Sequence, residues 1–299
     1  MLVTMKEILD RANKESYGVA APNIVCESDA RVAIEAAEEL NAPIILDFGF
    51  AFHKDIYALG DFVTKMAQQA SVPVALNLDH GGEYKQFIAA IRAGFSSVMV
   101  DRSSLSFDEN VEQVSEIVKI AHAVGVSVEA ELGHVGMANN YDVDGSANLT
   151  EPEMAKEYID KTGVDCLAVA VGTAHGAYAN GQQPKLDYER LQEIKKVTGA
   201  PLVLHGGSGT GDEALHKACQ LGINKVNVSN DLCKAAYQAV MNADLSGNNV
   251  YFLYSTLFNG YKARLKELIT CFGGEGKAWD VKTSLYSKVD KSIKGSDTF

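Results

Sequence analysis

The chain has 299 residues, long enough to bury a large core and close to the size at which a single core stops growing. Apolar residues make up 46% and charged residues 22%, and 39 acidic residues against 27 basic ones give a formal charge of −12, with no basic run to track a phosphate backbone. That balance argues against nucleic acid as a partner, and no apolar run reaches the roughly 18 residues of a membrane span.

A small phosphorylated ligand stays open, because such sites use backbone N–H groups and helix starts rather than net charge. The opening Met1-Leu2-Val3-Thr4-Met5-Lys6-Glu7 lacks a secretory-signal pattern, so a cytoplasmic protein is expected. Cys26, Cys166, Cys219, Cys233 and Cys271 are odd in number, far apart and free of a CxxC pair, which fits reduced thiols.

In chain order, a helix is predicted over 4–14, placed to cap the bottom of a barrel. Eight short apolar runs come next, at 17–24, 43–49, 73–79, 96–101, 127–133, 166–172, 201–206 and 225–230. Their Val, Ile, Leu and Ala on successive positions suit parallel strands covered on both faces. Between them, helical spacing appears over 28–40, 56–69, 83–93, 107–124, 151–162, 188–197 and 211–221. Eight such units predict an α/β fold, a closed (β/α)8 barrel, with an open doubly wound sheet as the alternative. The chain is expected to form one barrel domain over 1–299, with a C-terminal helical extension from about 231 to 299. Helices are predicted at 231–241 and 249–268, followed by a weakly structured tail with glycines at 273–276 and lysines at 288–294.

In such a barrel the active face lies at the carboxyl ends of the strands, and here those ends are polar. They read Leu78-Asp79-His80-Gly81, Val100-Asp101-Arg102-Ser103, Glu129-Ala130-Glu131-Leu132-Gly133, Gly172-Thr173-Ala174-His175-Gly176, Leu204-His205-Gly206-Gly207-Ser208-Gly209 and Asn227-Val228-Ser229-Asn230. His80, His175 and His205 come at the ends of strands 3, 6 and 7, so the barrel would bring them together. Three imidazoles with an open position suit Zn²⁺, Fe²⁺ or Co²⁺, although acid, base or phosphate-donor roles also fit histidines there. His53, His122 and His216 have helical or surface contexts and read as ordinary histidines; His134 sits on a loop near the active face. The Gly206-Gly207-Ser208-Gly209 turn and Ser229-Asn230 occupy the place where barrels bind phosphate. There is no GxxxxGK[ST] loop and no strand-linked GxGxxG, which argues against a nucleotide site.

These motifs, with Lys225-Val226-Asn227-Val228, resemble the class II, metal-dependent fructose-bisphosphate and tagatose-bisphosphate aldolases, from about residue 4 to residue 270. The resemblance implies a TIM barrel with one catalytic Zn²⁺ on His80, His175 and His205, for which Co²⁺ or Fe²⁺ can substitute. It implies Asp79 as proton donor and acceptor at the aldehyde carbonyl or C4 hydroxyl, and Asn227 in contact with the enediolate. Gly206, Gly207, Ser208, Ser229 and Asn230 would hold the phosphate of dihydroxyacetone phosphate. Gly176 would lie near that phosphate and a monovalent cation. Asp101 and Glu131 would mark a second, neighbouring metal position. The implied reaction is reversible cleavage of a ketose 1-phosphate or ketose 1,6-bisphosphate by a lyase, and a homodimer or higher homo-oligomer is expected.

Three departures bear on the substrate. The loop after strand 5 reads Gly136-Met137-Ala138-Asn139-Asn140, with an amide at Asn139 where relatives carry an acid, so either Asp142, Asp144 or another group would take over the proton, or the proton step differs. Strand 2 ends Leu46-Asp47-Phe48-Gly49-Phe50, which would put negative charge and bulk beside the substrate and disfavour a distal phosphate. Arg102 would supply a compensating positive charge or face solvent. A sugar-phosphate epimerase or isomerase, and a non-catalytic sugar-phosphate-binding barrel, are the alternative functions.

Overall fold

The computed structural model describes residues 1–51, 53–136, 149–176 and 183–280. Strands β1 (Val19–Ile24), β2 (Ile44–Phe48), β3 (Val74–Gly81), β4 (Ser97–Val100), β5 (Ser127–Leu132), β6 (Cys166–Val169), β7 (Leu202–Leu204) and β8 (Ile223–Val228) are parallel and close in chain order. β1 pairs with both β2 and β8, which removes the open-sheet alternative. Helices α1 (Met5–Glu15), α2 (Glu27–Glu39), α3 (Ile56–Gln69), α4 (Tyr84–Arg92), α5 (Phe107–Ala123), α6 (Pro152–Thr162), α7 (Tyr188–Thr198) and α8 (Asp212–Gln220) alternate with the strands. After β8 come α9 (Asn230–Asn242), a 3₁₀ segment (Gly247–Phe252) and α10 (Leu253–Cys271), the extra C-terminal helices. No helix among the described residues is long and apolar enough to cross a membrane.

Every residue of β2, β4, β5, β6, β7 and β8 is buried, because the helices cover one face and the barrel interior the other. α1 starts at a Thr4/Glu7 capping box. Its spacing puts Met5, Ile8, Leu9 and Ala12 on one stripe, and they pack with Ile45, Ala75, Met99, Cys166 and Val203 inside the barrel. That apolar plug closes the amino-terminal end. Interior positions further along the strands turn polar: Asp47, Asn77, Glu129 and Lys225 are fully buried, and Asp79, Glu131 and Asn227 come two residues on, the period that keeps side chains on one face.

Runs 6 and 7 are shorter as strands than the sequence predicts, ending at Val169 and Leu204, and the last residue of each predicted run, Gly172 and Gly206, has a positive φ outside the β region. β8 ends at Val228, since Ser229 is the N-cap of α9. The glycines at 273–276 are better anchored than expected. The Gly276 and Ala278 N–H groups donate to the carbonyls of Leu40 and Asn41, and Arg11 lies 4.2 Å over the Trp279 ring. Lysines 288–294 lie outside the described residues. All five cysteines are free thiols.

Candidate metal centre and substrate cleft

His80, His175 and His205 converge at the carboxyl end of the barrel, with ring centroids 4.7 to 5.5 Å apart. One ligand atom from each, with a Glu131 carboxylate oxygen, falls in a group whose members lie within 4.8 Å of one another. Successive strand residues normally point to opposite faces, which would separate Asp79 from His80. Instead the β3–β4 register shifts between Leu78 and Gly81, and His80 takes a left-handed φ of 49°. This bulge, of a kind common beside active sites, turns His80 inward beside Asp79, with His80 Nε2 3.9 Å from Asp79 Oδ1.

The imidazole partners leave the histidines suited to a cation. His80 Nδ1 lies 2.9 Å from Asp101 Oδ2, and His205 Nε2 lies 2.8 Å from Glu129 Oε1. If each of those nitrogens donates to its carboxylate, His80 Nε2 and His205 Nδ1 face each other 3.0 Å apart as two lone pairs. Such a pair repels unless a proton or a metal ion sits between them. Burial lowers the His80 basicity, but the Asp79 charge and the Asp101 hydrogen bond overcome it and raise the group to about 10. Burial and the neighbouring His205 and His80 lower His175 to about 3, keeping it neutral. Burial raises Glu131, whose Oε2 has no hydrogen-bond partner among the described residues. This donor set fits a divalent ion: His80, His175 and His205, with Glu131, would hold it, and a bound ion would take the place of the shared proton.

Asp79 stands beside the cluster in a cleft of about 440 Å³. Its Oδ2 accepts from Asn23 Nδ2 at 2.8 Å and its Oδ1 from Asn227 Nδ2 at 3.2 Å. Burial opposes its ionisation, but His80, His205 and Lys225 lower it to about 2, so it is a carboxylate. Gly176, Gly206, Gly207, Ser208, Ser229 and Asn230 line the same cleft. Gly206 and Gly207 are required by close approach: a Cβ would stand 2.3 Å from the Ala174 carbonyl oxygen and 2.8 Å from that of Asn227. Ser208 Oγ accepts from the Ser229 and Asp231 N–H groups, both at 3.2 Å, which leaves its own hydroxyl hydrogen to donate. Buried Asn230 Nδ2 has no partner among the described residues and lies in the first turn of α9, where the helix favours anions.

Other predicted residues are placed away from the ligand group. Asp47 carries no free charge toward the substrate: it is fully buried, 3.2 Å from Lys225 Nζ, and accepts from Asn77 at 2.8 Å. Phe48 packs in the layer between barrel and helices, and Phe50 lies edge-on to it at 5.4 Å against the same core. Arg102 donates to Gln113 Oε1 at 2.6 Å and to the Asp101 carbonyl at 2.7 Å, and its guanidinium lies over the Phe87 ring. Asp101 is not in the ligand group, because its carboxylate is committed to His80 and to the Ser103 N–H and hydroxyl. Asn139, Asp142 and Asp144 lie outside the described residues. His53, His122 and His216 each bond a local partner away from the cleft.

Asn23, Glu129 and Lys225 carry functional geometry that the sequence alone did not single out. The signals were an amide near the end of β1 and the two-residue spacings from Glu129 to Glu131 and from Lys225 to Asn227, which keep each pair on one face.

A closed barrel with clustered imidazoles and a carboxylate at its strand ends defines a metal-dependent enzyme. The profile of the family described as Fructose-bisphosphate aldolase class-II matches residues 3–277. A fructose-bisphosphate aldolase of Thermus caldophilus is 40% identical, over 93% of this chain and 100% of its own. One of Geobacillus stearothermophilus is 38% identical, over 93% and 99%. The crystal structure of the YdjI aldolase from Escherichia coli K12 superposes with a TM-score of 0.83 at 33% identity, covering 93% of this chain and 100% of that one. The chain belongs to the class II fructose-bisphosphate aldolase family and is a metal-dependent aldolase.

Proposed function

We propose that the chain, as one barrel domain with helices appended after β8, is a zinc-dependent aldolase that reversibly cleaves a ketose 1-phosphate to dihydroxyacetone phosphate and an aldehyde. The observation that supports this most is the sharing of one cleft by His80 and His175 of the imidazole cluster, the Asp79 carboxylate and the Ser208–Asn230 anion cradle. A set of imidazoles suits zinc, with Co²⁺ or Fe²⁺ as substitutes. Bound there, the ion supplies Lewis acidity where negative charge grows on the ketose oxygens as C3–C4 breaks. Asp79 accepts the C4 hydroxyl proton in cleavage and returns it to the aldehyde oxygen in synthesis. Asn23 and Asn227 hold that carboxylate in place, so little reorganisation precedes proton transfer. Ser208, Ser229 and Asn230 grip the phosphate and turn remote binding energy into orientation.

The proposed substrate has an uncharged distal end. Among the described residues no lysine or arginine lines the cleft, and the sequence of 137–148 contains Asp142 and Asp144 but no basic residue. A cytoplasmic homodimer is also proposed. Exposed Tyr237, Met241, Val250, Tyr251, Phe252 and Tyr254 on α9, the 3₁₀ segment and α10 form an apolar set that a second copy would cover, which light scattering tests.

Incubation with dihydroxyacetone phosphate and a panel of aldehydes tests the reaction. New ketose 1-phosphate supports it. Interconversion of ketose phosphates without dihydroxyacetone phosphate would make the enzyme an epimerase or isomerase, and binding without turnover would make it a sensing barrel.

A further inference from the structure

We propose that Lys225 is a positioning residue for the metal centre, acting through Glu129 to fix which nitrogen of His205 faces the ion. Lys225, Glu129, Asp47 and His205 are all fully buried. Lys225 Nζ lies 2.8 Å from Glu129 Oε2 and 3.2 Å from Asp47 Oδ2. The other oxygen of Glu129 receives His205 Nε2 at 2.8 Å, and the other oxygen of Asp47 accepts from Asn77 at 2.8 Å. A continuous chain of close polar contacts therefore crosses the barrel interior from Asn77 on β3 and Asp47 on β2 through Lys225 on β8 and Glu129 on β5 to His205.

This layer is not explained by stability. A buried ion cluster gains little over well-packed apolar side chains, and the layer below it, with Ile45, Ala75, Met99 and Val203, shows that this barrel fills its interior with such side chains. The chain does explain the His205 tautomer. A carboxylate accepts only, so an ionised Glu129 holds the His205 proton on Nε2 and leaves the Nδ1 lone pair facing His80 Nε2. Lys225 Nζ anchors Glu129 Oε2 at 2.8 Å and so fixes Oε1 toward His205 Nε2; without that anchor the carboxylate is free to turn, and the Nε2 proton loses its fixed acceptor. His80 is held differently: its partner Asp101 is partly exposed and also bonded by Ser103, so water can replace that support. No solvent reaches His205.

The inference rests on the histidines being metal ligands, and the test separates the two. Apo-protein is titrated with Co²⁺ against a competing chelator, reading affinity and the visible ligand-field spectrum for wild type, Lys225→Met, Glu129→Gln and the double variant. Lys225→Met is expected to bind Co²⁺ roughly 10- to 100-fold more weakly, with an altered spectrum. Glu129→Gln should do the same, and the double variant should lose no more than either single one, because both act through one contact. Should Lys225→Met fail to fold, Lys225→Ala, which also lacks a donor toward Glu129, carries the same titration. Unchanged Co²⁺ affinity and spectrum in a folded Lys225 variant, whatever its melting temperature, overturns the proposal. A wild-type protein that binds no metal would instead overturn the reading of the site itself.

Discussion

Replacing Asp79 with asparagine removes the proposed proton acceptor while keeping its shape. In the native site both carboxylate oxygens accept from amides, Asn23 at 2.8 Å and Asn227 at 3.2 Å. An asparagine offers one acceptor and one donor, so one of those amides would meet another donor in a buried site, at a cost of about 1–3 kcal/mol in stability. The catalytic loss should be larger. General-base catalysis is typically worth about 10²–10⁴ in rate, or roughly 3–5 kcal/mol of barrier, and the neutral amide cannot supply it. Metal binding should persist, because Asp79 is outside the ligand group. The assay couples dihydroxyacetone phosphate release to a dehydrogenase, with metal content measured on the same sample. Asp79→Asn with one ion per chain and kcat within threefold of wild type would refute a proton-transfer role. A loss confined to KM would make Asp79 a binding residue.

Gly206→Ala should destabilise the fold by on the order of 1–3 kcal/mol in thermal unfolding, since its φ of 67° and the Ala174 carbonyl at 2.3 Å leave no room for a Cβ. Ser208→Ala should raise KM for the phosphorylated substrate, with little change in kcat, because it removes a phosphate donor remote from the bond that breaks. Arg102→Ala should leave kcat/KM within about twofold, since the guanidinium is engaged by Gln113 and the Asp101 carbonyl; a larger loss in steady-state kinetics would restore it as a substrate contact. Fructose 1,6-bisphosphate should have a kcat/KM at least about tenfold below that of the corresponding 1-phosphate, a difference of roughly 1.4 kcal/mol, and the reverse preference would reject the uncharged distal end.

The barrel was legible because strands buried on both faces write themselves as apolar runs, and eight such runs leave few topologies. His80, His175 and His205 stood out because polar residues at strand ends have no packing purpose. Side-chain direction was not legible. Runs that are apolar throughout carry no alternation, so nothing marked Asp47 as pointing into the interior toward Lys225, or Phe50 as packing outward. The bulge at Asp79–His80 was hidden for the same reason, since it depends on the β3–β4 register. Glu129 and Lys225 were visible as charges within apolar strands, but their partners come from strands far apart in sequence, 96 residues in the case of their mutual contact.

The claim that metal held by the histidines carries the chemistry is tested most directly by metal content and aldol cleavage measured on the same samples, before and after chelation and in His205→Ala. The expected result is about one divalent ion per chain, loss of cleavage on removal, recovery on adding Zn²⁺ or Co²⁺, and loss of both ion and activity in His205→Ala. Cleavage that persists at wild-type rate in metal-free protein would contradict it.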